Sequence, residues 1–227
     1  KAITAGEHIL VYGDYDVDGT TSVAMMYSFL KRFSPEIEYY IPCRYEEGYG
    51  ISLKGIDYAK KNNFSLIITL DCGIRAFDQV DYANEKEVDF IICDHHNPAD
   101  KIPNAIAILN PKQSDCNYPY KELSGCGVGF KLIQAYSQKN NIDFSEISEY
   151  LDLLTVSIGA DIVPMTGENR VFSYFGLKQI NTQPRAGLKA LMDIANKIKE
   201  LSISDVVFGI APRINAAGRI EHAKKAV

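Results

Sequence analysis

Four acidic clusters stand where apolar runs stop: Gly13-Asp14-Tyr15-Asp16-Val17-Asp18-Gly19, Asp71-Cys72-Gly73, Asp94-His95-His96 and Ala160-Asp161-Ile162-Val163-Pro164. The first three follow residues 9–12, 66–70 and 90–93. Runs of this length, alternating with helical stretches, read as strands of a buried parallel sheet, and residues just past the carboxyl ends of such strands converge on one crevice. Carboxylates gathered at close range resist joint ionisation, so something cationic must offset them. A pair of divalent metal ions does so, and points to phosphoester chemistry.

In the first cluster Asp14, Asp16 and Asp18 alternate, which on an extended segment turns their carboxylates the same way. Gly19-Thr20-Thr21 then opens a helix with Thr20 as N-cap, and the free amides of a helix start favour an anion. A calcium loop of the EF-hand type needs a Glu six residues after its Gly, where this chain has Met25, and needs flanking helices where this chain has a strand. Two adjacent histidines at a strand end, His95 and His96, divide naturally into one ligand and one group facing substrate. Asp71, with Gly73 after it, can bridge two ions, and Asp161 from a helical segment closes the cage from the other side. Mixed Asp and His ligands with oxygen in excess suit manganese or magnesium better than zinc. His8 and His222 have no such company and read as surface residues.

The elements that must position these groups follow from periodicity. Strands are expected over 8–13, 36–41, 65–70, 88–93 and 106–109, and helices over 20–32, 52–61 and 75–86. This alternation predicts an α/β fold, a doubly wound, mostly parallel sheet over residues 1–110 with right-handed crossovers. A long polar stretch over 110–124 reads as a functional loop. A mainly helical part then covers 125–227, with helices over 126–139, 145–158, 169–180, 185–195 and 203–210. The chain starts almost on its first strand and stops in a continuing helix, so both ends read as cut.

Composition bounds the reading. A chain of 227 residues, 46% hydrophobic and 23% charged, buries one substantial core. No apolar run approaches the roughly 20 residues that span a bilayer, and the N-terminus does not read as a signal peptide. Cys43, Cys72, Cys93, Cys116 and Cys126 are odd in number and form no CxxC pair, so they read as reduced, mostly buried thiols of a cytoplasmic protein. The net charge of −5 argues against nucleic-acid binding by bulk electrostatics. The charge is uneven, however. Residues 185–227 hold eight Lys or Arg against four Asp or Glu, a balance of +4, while the remainder holds sixteen against twenty-five, or −9. A basic C-terminal part beside a metal-filled crevice is compatible with a polyanionic substrate.

These residues resemble the DHH phosphoesterase superfamily, named for the tripeptide seen here as Asp94-His95-His96, and within it the RecJ family of bacterial single-strand-specific 5′→3′ exonucleases. The resemblance rests on Val11-Tyr12-Gly13-Asp14-Tyr15-Asp16-Val17-Asp18-Gly19-Thr20-Thr21, Glu47-Gly48-Tyr49-Gly50, Gly127-Val128-Gly129-Phe130-Lys131-Leu132, Asp161-Ile162-Val163-Pro164 with Thr166-Gly167-Glu168-Asn169-Arg170, and Pro212-Arg213-Ile214-Asn215-Ala216-Ala217-Gly218-Arg219. It implies two ions, Mn2+ or Mg2+, held by Asp14, Asp16, Asp18, Asp71, His95 and Asp161, with His96 at the scissile phosphate as ligand or proton donor. It further implies in-line attack by water while both ions stabilise charge. Arg213, with Asn215 nearby, is the candidate for grasping phosphate oxygens. Thr20 and Arg219 are further substrate-binding candidates. Arg44 either holds the 5′ end or pairs at the surface with Glu46 or Glu47. Glu168 and Arg170 read as a structural pair or helix start, and Tyr45, Tyr49 and Tyr118 as platforms for stacked bases.

Implied partners are single-stranded DNA, a single-strand-binding protein and a helicase, with no membrane, in a setting of DNA repair and recombination. RecJ proteins resemble this core joined to a second DHH-associated domain and an OB-type domain, and neither is visible in this sequence. The alternatives are a small-substrate DHH phosphoesterase acting on pyrophosphate, short oligonucleotides or cyclic dinucleotides, and a non-catalytic binding module. The Pro212–Arg219 motif weighs against the first, and the filled ligand positions weigh against the second.

Overall fold

A computed structural model describes residues 1–196, 200–220 and 223–227 and, within these, the side chains of all but residues 217, 219, 220, 224 and 225. A short helix α1 (Ala2–Ala5) leads into β1 (His8–Gly13), α2 (Val17–Lys31), β2 (Ile37–Tyr40), α3 (Leu53–Lys61), β3 (Phe64–Leu70), α4 (Phe77–Glu85), β4 (Asp89–Cys93) and β5 (Ala107–Leu109). All strand pairs are parallel, in the order β2-β1-β3-β4-β5. The order reverses between β1 and β3, which is where a doubly wound sheet opens its crevice. Asp14 and Asp71 end those two strands.

The strands are apolar throughout because both faces are covered. Ile9 and Val11 pack with Met26 and Phe29 of α2 and Phe130 of α5 (Gly125–Lys139). Leu10 and Tyr12 pack on the opposite face with Ile56 of α3 and Val80 of α4. The helical part continues with α6 (Ser145–Ser148), α7 (Leu151–Ala160), α8 (Gly167–Thr182), α9 (Ala186–Ile194), α10 (Ile203–Asp205) and α11 (Ala211–Ile220). No helix among the described residues is long and apolar enough to cross a membrane, and all five cysteines are free.

Three expected helices differ in the structure. The span 145–158 is two helices, because the Glu149 carbonyl accepts from the side chains of Gln179 and Arg185 and the Leu153 amide turns to the Asp152 carboxylate. The helix expected to end at residue 210 instead passes through a π turn (Val206–Ile210) into α11. The wider turn bonds the Ala211 amide to the Val206 carbonyl, and Pro212, which has no N–H to place, sits at the start of the new helix. The helix expected from Thr20 starts at Val17, with consequences for the site.

The packing of α8 on α7 requires Gly176. A Cβ there would lie 2.0 Å from Thr155 Oγ1 and 2.2 Å from the Leu151 carbonyl oxygen. Gly176→Ala is therefore expected to force the two helices apart at a cost of about 3 kcal/mol, read as a lowered urea midpoint. An unchanged midpoint would mean that this helix pair yields without loss.

Candidate metal centre

The centre is built from strand ends and helix starts. Past β1, Asp14 accepts from the Tyr15 amide at 2.6 Å and, through its other oxygen, from the Gly50 amide at 2.9 Å. Asp16 is the N-cap of α2 and accepts from the Gly19 amide at 2.8 Å. The cap therefore lies four residues before Thr20, because an Asp side chain competes well for that position. Thr20 is buried in the first turn and its hydroxyl donates to the Asp16 carbonyl at 2.7 Å. The three aspartates do not share one extended segment: Asp18 is helical and points inward. Its carboxylate accepts from the Gly125 and Cys126 amides, at 2.7 and 2.8 Å, and from the Ser157 hydroxyl at 2.7 Å. The start of α5 thus holds an anion as helix N-termini do, and the anion is a side chain of this chain.

Past β3, Asp71 adopts a left-handed backbone with φ of 61°. Gly125 presses on it so closely that a Cβ there would fall 2.6 Å from Asp71 Oδ1. Past β4, Asp94 organises its own tripeptide. Its carboxylate accepts from the amides of His95, His96 and Ile74, and bonds His96 Nδ1 at 2.8 Å. His95 is thereby turned inward and buried, whereas the His96 side chain is 46% exposed and faces the cleft.

Around His95 Nε2 lie Asp71 Oδ1 at 3.2 Å, Asp161 Oδ2 at 3.6 Å and Asp18 Oδ2 at 3.9 Å. Among the described residues two overlapping ligand sets result, Asp71, His95 and His96, and Asp18, His95 and Asp161. Asp71 Oδ1 and both ring nitrogens of His95 are buried without a hydrogen-bond partner. Buried polar atoms seldom stay unpaired, and carboxylate oxygens and an imidazole set so close together fit divalent cations of the manganese or magnesium type.

Charge tells the same story. Burial, followed by the charges of Asp18 and Asp16, pushes Asp71 well above the carboxylate range. Burial pushes Asp14 up to about 7 against the pull of the Tyr15 amide. Burial, then Asp18 and Asp16, likewise raises Asp161. Asp94 goes the other way: burial opposes it, but the hydrogen bond from His96 and the amides win. His96 is raised by that same bond, and His95 is lowered by burial, which leaves it neutral and ready to ligate.

The remaining candidates are placed as follows. Arg44 pairs with neither Glu46 nor Glu47. Its guanidinium lies 4.9 Å from the Tyr15 ring, while Glu46 pairs with Lys54 and Glu47 accepts from Tyr40 and Cys43. Tyr15 meets Tyr49 edge-on at 5.9 Å, and Tyr49 meets His96 at 6.4 Å. Tyr118 donates to Glu168, which also pairs with Lys131 rather than Arg170. Arg213 is not brought to the carboxylates; it donates to the Gly209 carbonyl one turn back and lines a depression with Ser204 and Phe208. Asn215 is half-buried on α11, which meets the aspartate loop at Gly218, where a Cβ would be 3.3 Å from the Tyr15 carbonyl oxygen. The Arg219 side chain and His222 lie outside the described residues. His8 pairs with Glu36 at the surface.

Sequence reading missed Lys112, whose charge acts on both Asp161 and His95. Its signal was the polar stretch after β5. A cleft of about 460 Å³ also opens beside His96, lined by Tyr49, Gly73, Arg75, Gln79 and Asn97.

The raised carboxylates make a prediction about pH. Between about pH 4 and 7 folded Asp14, Asp71 and Asp161 keep protons that unfolded aspartates have released. The folded state then binds more protons, so stability falls as pH rises through about 7. Raised His96 adds to this trend and lowered His95 opposes it as a single group. Metal-free protein in chelator should therefore melt several degrees lower at about pH 8 than at about pH 6. Added Mn2+ should remove the difference. A melting temperature that rises with pH in chelator would contradict the charge balance.

A family model described as the DHH family, N-terminal domain, matches residues 8–158. The chain is 43% identical over 229 residues to the single-stranded-DNA-specific exonuclease RecJ of Bacillus subtilis (strain 168), a match that covers 100% of this chain and 28% of that protein. It is 38% identical over 233 residues to RecJ of Escherichia coli (strain K12), covering 97% of this chain and 40% of that protein. It thus spans well under half of either relative. A crystal structure of exonuclease RecJ bound to manganese matches with a TM-score of 0.88 at 33% identity, over 99% of this chain and 56% of that one. RecJ from Thermus thermophilus, in complex with Mn2+, matches with a TM-score of 0.84 at 30% identity, over 99% and 32%. Since the matched segment runs from β1 into α7 and includes the aspartate loop, Asp71 and the Asp94-His95-His96 turn, the chain belongs to the DHH family and carries a RecJ-like core.

Proposed function

We propose that this chain is the core of a metal-dependent phosphodiesterase that removes mononucleotides from the 5′ end of single-stranded DNA. The observation that carries the reading is that Asp71 Oδ1 and the His95 ring nitrogens are buried without hydrogen-bond partners, with the carboxylates of Asp18 and Asp161 beside them. Two divalent cations bound there would supply charge neutralisation for a phosphodiester and an activated water. Asp71 and His95 would hold one, and Asp18 and Asp161 the other, with Asp14 and Asp16 lending charge from the adjoining loop.

His96 is left free for proton transfer. With Nδ1 fixed on Asp94, its Nε2 faces the cleft, and the raised affinity for a proton lets it protonate the departing 3′ oxygen. Arg44, Tyr15 and Tyr49 form a cationic and aromatic row leading to His96, suited to the phosphate and base of a strand's 5′ end. Lys112 offers a cation to the phosphate on the Asp161 side. Asn215 contributes from α11, where that helix meets the aspartate loop, Arg213 joins it on leaving the Gly209 carbonyl, and Arg219 remains a substrate-binding candidate. Thr20 serves by tying the helix start to Asp16.

The preference for single strands and the 5′ end draws support from relatives named as single-stranded-DNA-specific exonucleases. A single-strand-binding protein and a helicase are the partners that would present such a strand. The test supplies Mn2+ with 5′-labelled and 3′-labelled single strands, the matching duplex and pyrophosphate. Early release of the 5′ label as mononucleotide, with duplex and pyrophosphate spared, is expected. Cleavage of pyrophosphate or dinucleotides alone would move the chain to small substrates.

Two substitutions separate the roles. Asp161→Ala should lower turnover by at least about 100-fold and weaken binding of one Mn2+, with the fold kept. Equal activity in that variant would end the metal assignment. His96→Ala should lower kcat on DNA by about 10²–10⁴-fold, and by much less on the p-nitrophenyl ester of thymidine 5′-phosphate, whose leaving group needs no proton. An equal loss on both substrates would rule out the proton-donor role.

A further inference from the structure

We infer that Asn169 is a positioning residue for the Asp161 side of the metal centre, acting as a clamp between two backbone loops. The inference rests on the two-cation reading above. Asn169 sits in the first turn of α8 and is fully buried. Its Nδ2 donates to the Glu122 carbonyl at 2.6 Å and to the Pro164 carbonyl at 3.0 Å. Those two carbonyls belong to the loops that shape the second ligand set. Glu122 lies two residues before Ser124, the cap of α5, whose first amides hold Asp18. Pro164 lies three residues after Asp161. One carboxamide thereby joins the backbone behind Asp18 to the backbone behind Asp161.

The Asp161 loop needs such a hold. Ile162, next to Asp161, is left-handed with φ of 57°, a conformation that a β-branched residue adopts at a cost. The residue is 80% exposed, so no packing of its own keeps it there. The ties that fix this turn come from outside it. Asn169 takes the Pro164 carbonyl, and the Tyr120 hydroxyl bonds the Pro164 and Thr166 carbonyls at 3.1 and 2.7 Å. Asn169 differs from Tyr120 in being buried and in reaching the α5 loop as well. The first ligand set, Asp71, His95 and His96, is not bonded by this clamp and meets it only where Gly125 presses on Asp71.

The prediction is a split between the two ions. Mn2+ titrations of the purified protein, followed by the EPR signal of free Mn2+, should show two ions bound by the wild type. Asn169→Ala should weaken one of them by about 10–100-fold and leave the other within about threefold. Adding Ile162→Gly to that variant should recover on the order of tenfold for the weakened ion, because glycine holds the left-handed turn without strain. A residue that merely supported the fold would gain nothing from that second change. Asn169→Ser keeps a donor too short to span both carbonyls. It should give the same split at smaller size, and it is the variant to read if the alanine protein does not fold. Unchanged binding of both ions, equal weakening of both, or no recovery with Ile162→Gly would overturn the clamp. A wild type that binds fewer than two ions would overturn the two-cation reading together with it.

Discussion

Mutual repulsion among carboxylates, delivered by a parallel sheet to its own carboxyl edge, is the constraint that the other features of this structure answer. Asp14 and Asp71 end neighbouring strands at the point where strand order reverses, and Asp16, Asp18 and Asp161 reach the same space from helix ends. Buried charges of one sign are costly unless each is paired or hydrogen-bonded. The chain meets part of this demand internally. Asp18 receives two amides and a hydroxyl, Asp14 two amides, and Asp94 three amides with an imidazole. It stops short at Asp71 Oδ1 and at the ring of His95. The uncompensated groups are those that a cation would bind, which makes the remaining repulsion the driving force for metal.

Holding such a site takes local strain, and the strain lies at the ligands. Asp71 and Ile162 both take left-handed backbones, the first on a candidate ligand and the second beside one. Tight glycine contacts lie next to them: Gly125 against Asp71 and Gly19 against the Asp14 backbone. Substitution at Gly125 would push on the Asp71 carboxylate, and substitution at Gly19 on the Asp14 backbone. The helical half is thus more than a cover for one face of the sheet. It supplies Asp161, and through α5 and Ser157 it supplies the donors that fix Asp18.

The two histidines show how one turn can separate two chemical roles. Asp94 spends its carboxylate on three amides and on His96, so His95 points into the carboxylates and His96 into the cleft. Burial keeps the inner ring neutral for ligation, and the bond to Asp94 keeps the outer ring proton-rich. Adjacent identical residues acquire opposite proton affinities through placement alone.

The sequence by itself determined the sheet and the acidic clusters. Apolar runs such as Ile9, Leu10 and Val11 have one low-energy use in a chain of this kind, a strand covered on both faces, and whatever follows them must appear at the sheet's edge. Tertiary structure decided which aspartates face one another, because that depends on caps and loops rather than on period. Asp16 took the cap expected at Thr20, so Asp18 moved onto a helix and met the amides of Gly125 and Cys126, more than a hundred residues away. The same holds for Lys112, Glu168 and Asn169, whose partners lie on other elements. Local sequence carries local preference, while the aim of a side chain at a shared site is set by long-range packing that no window of residues contains.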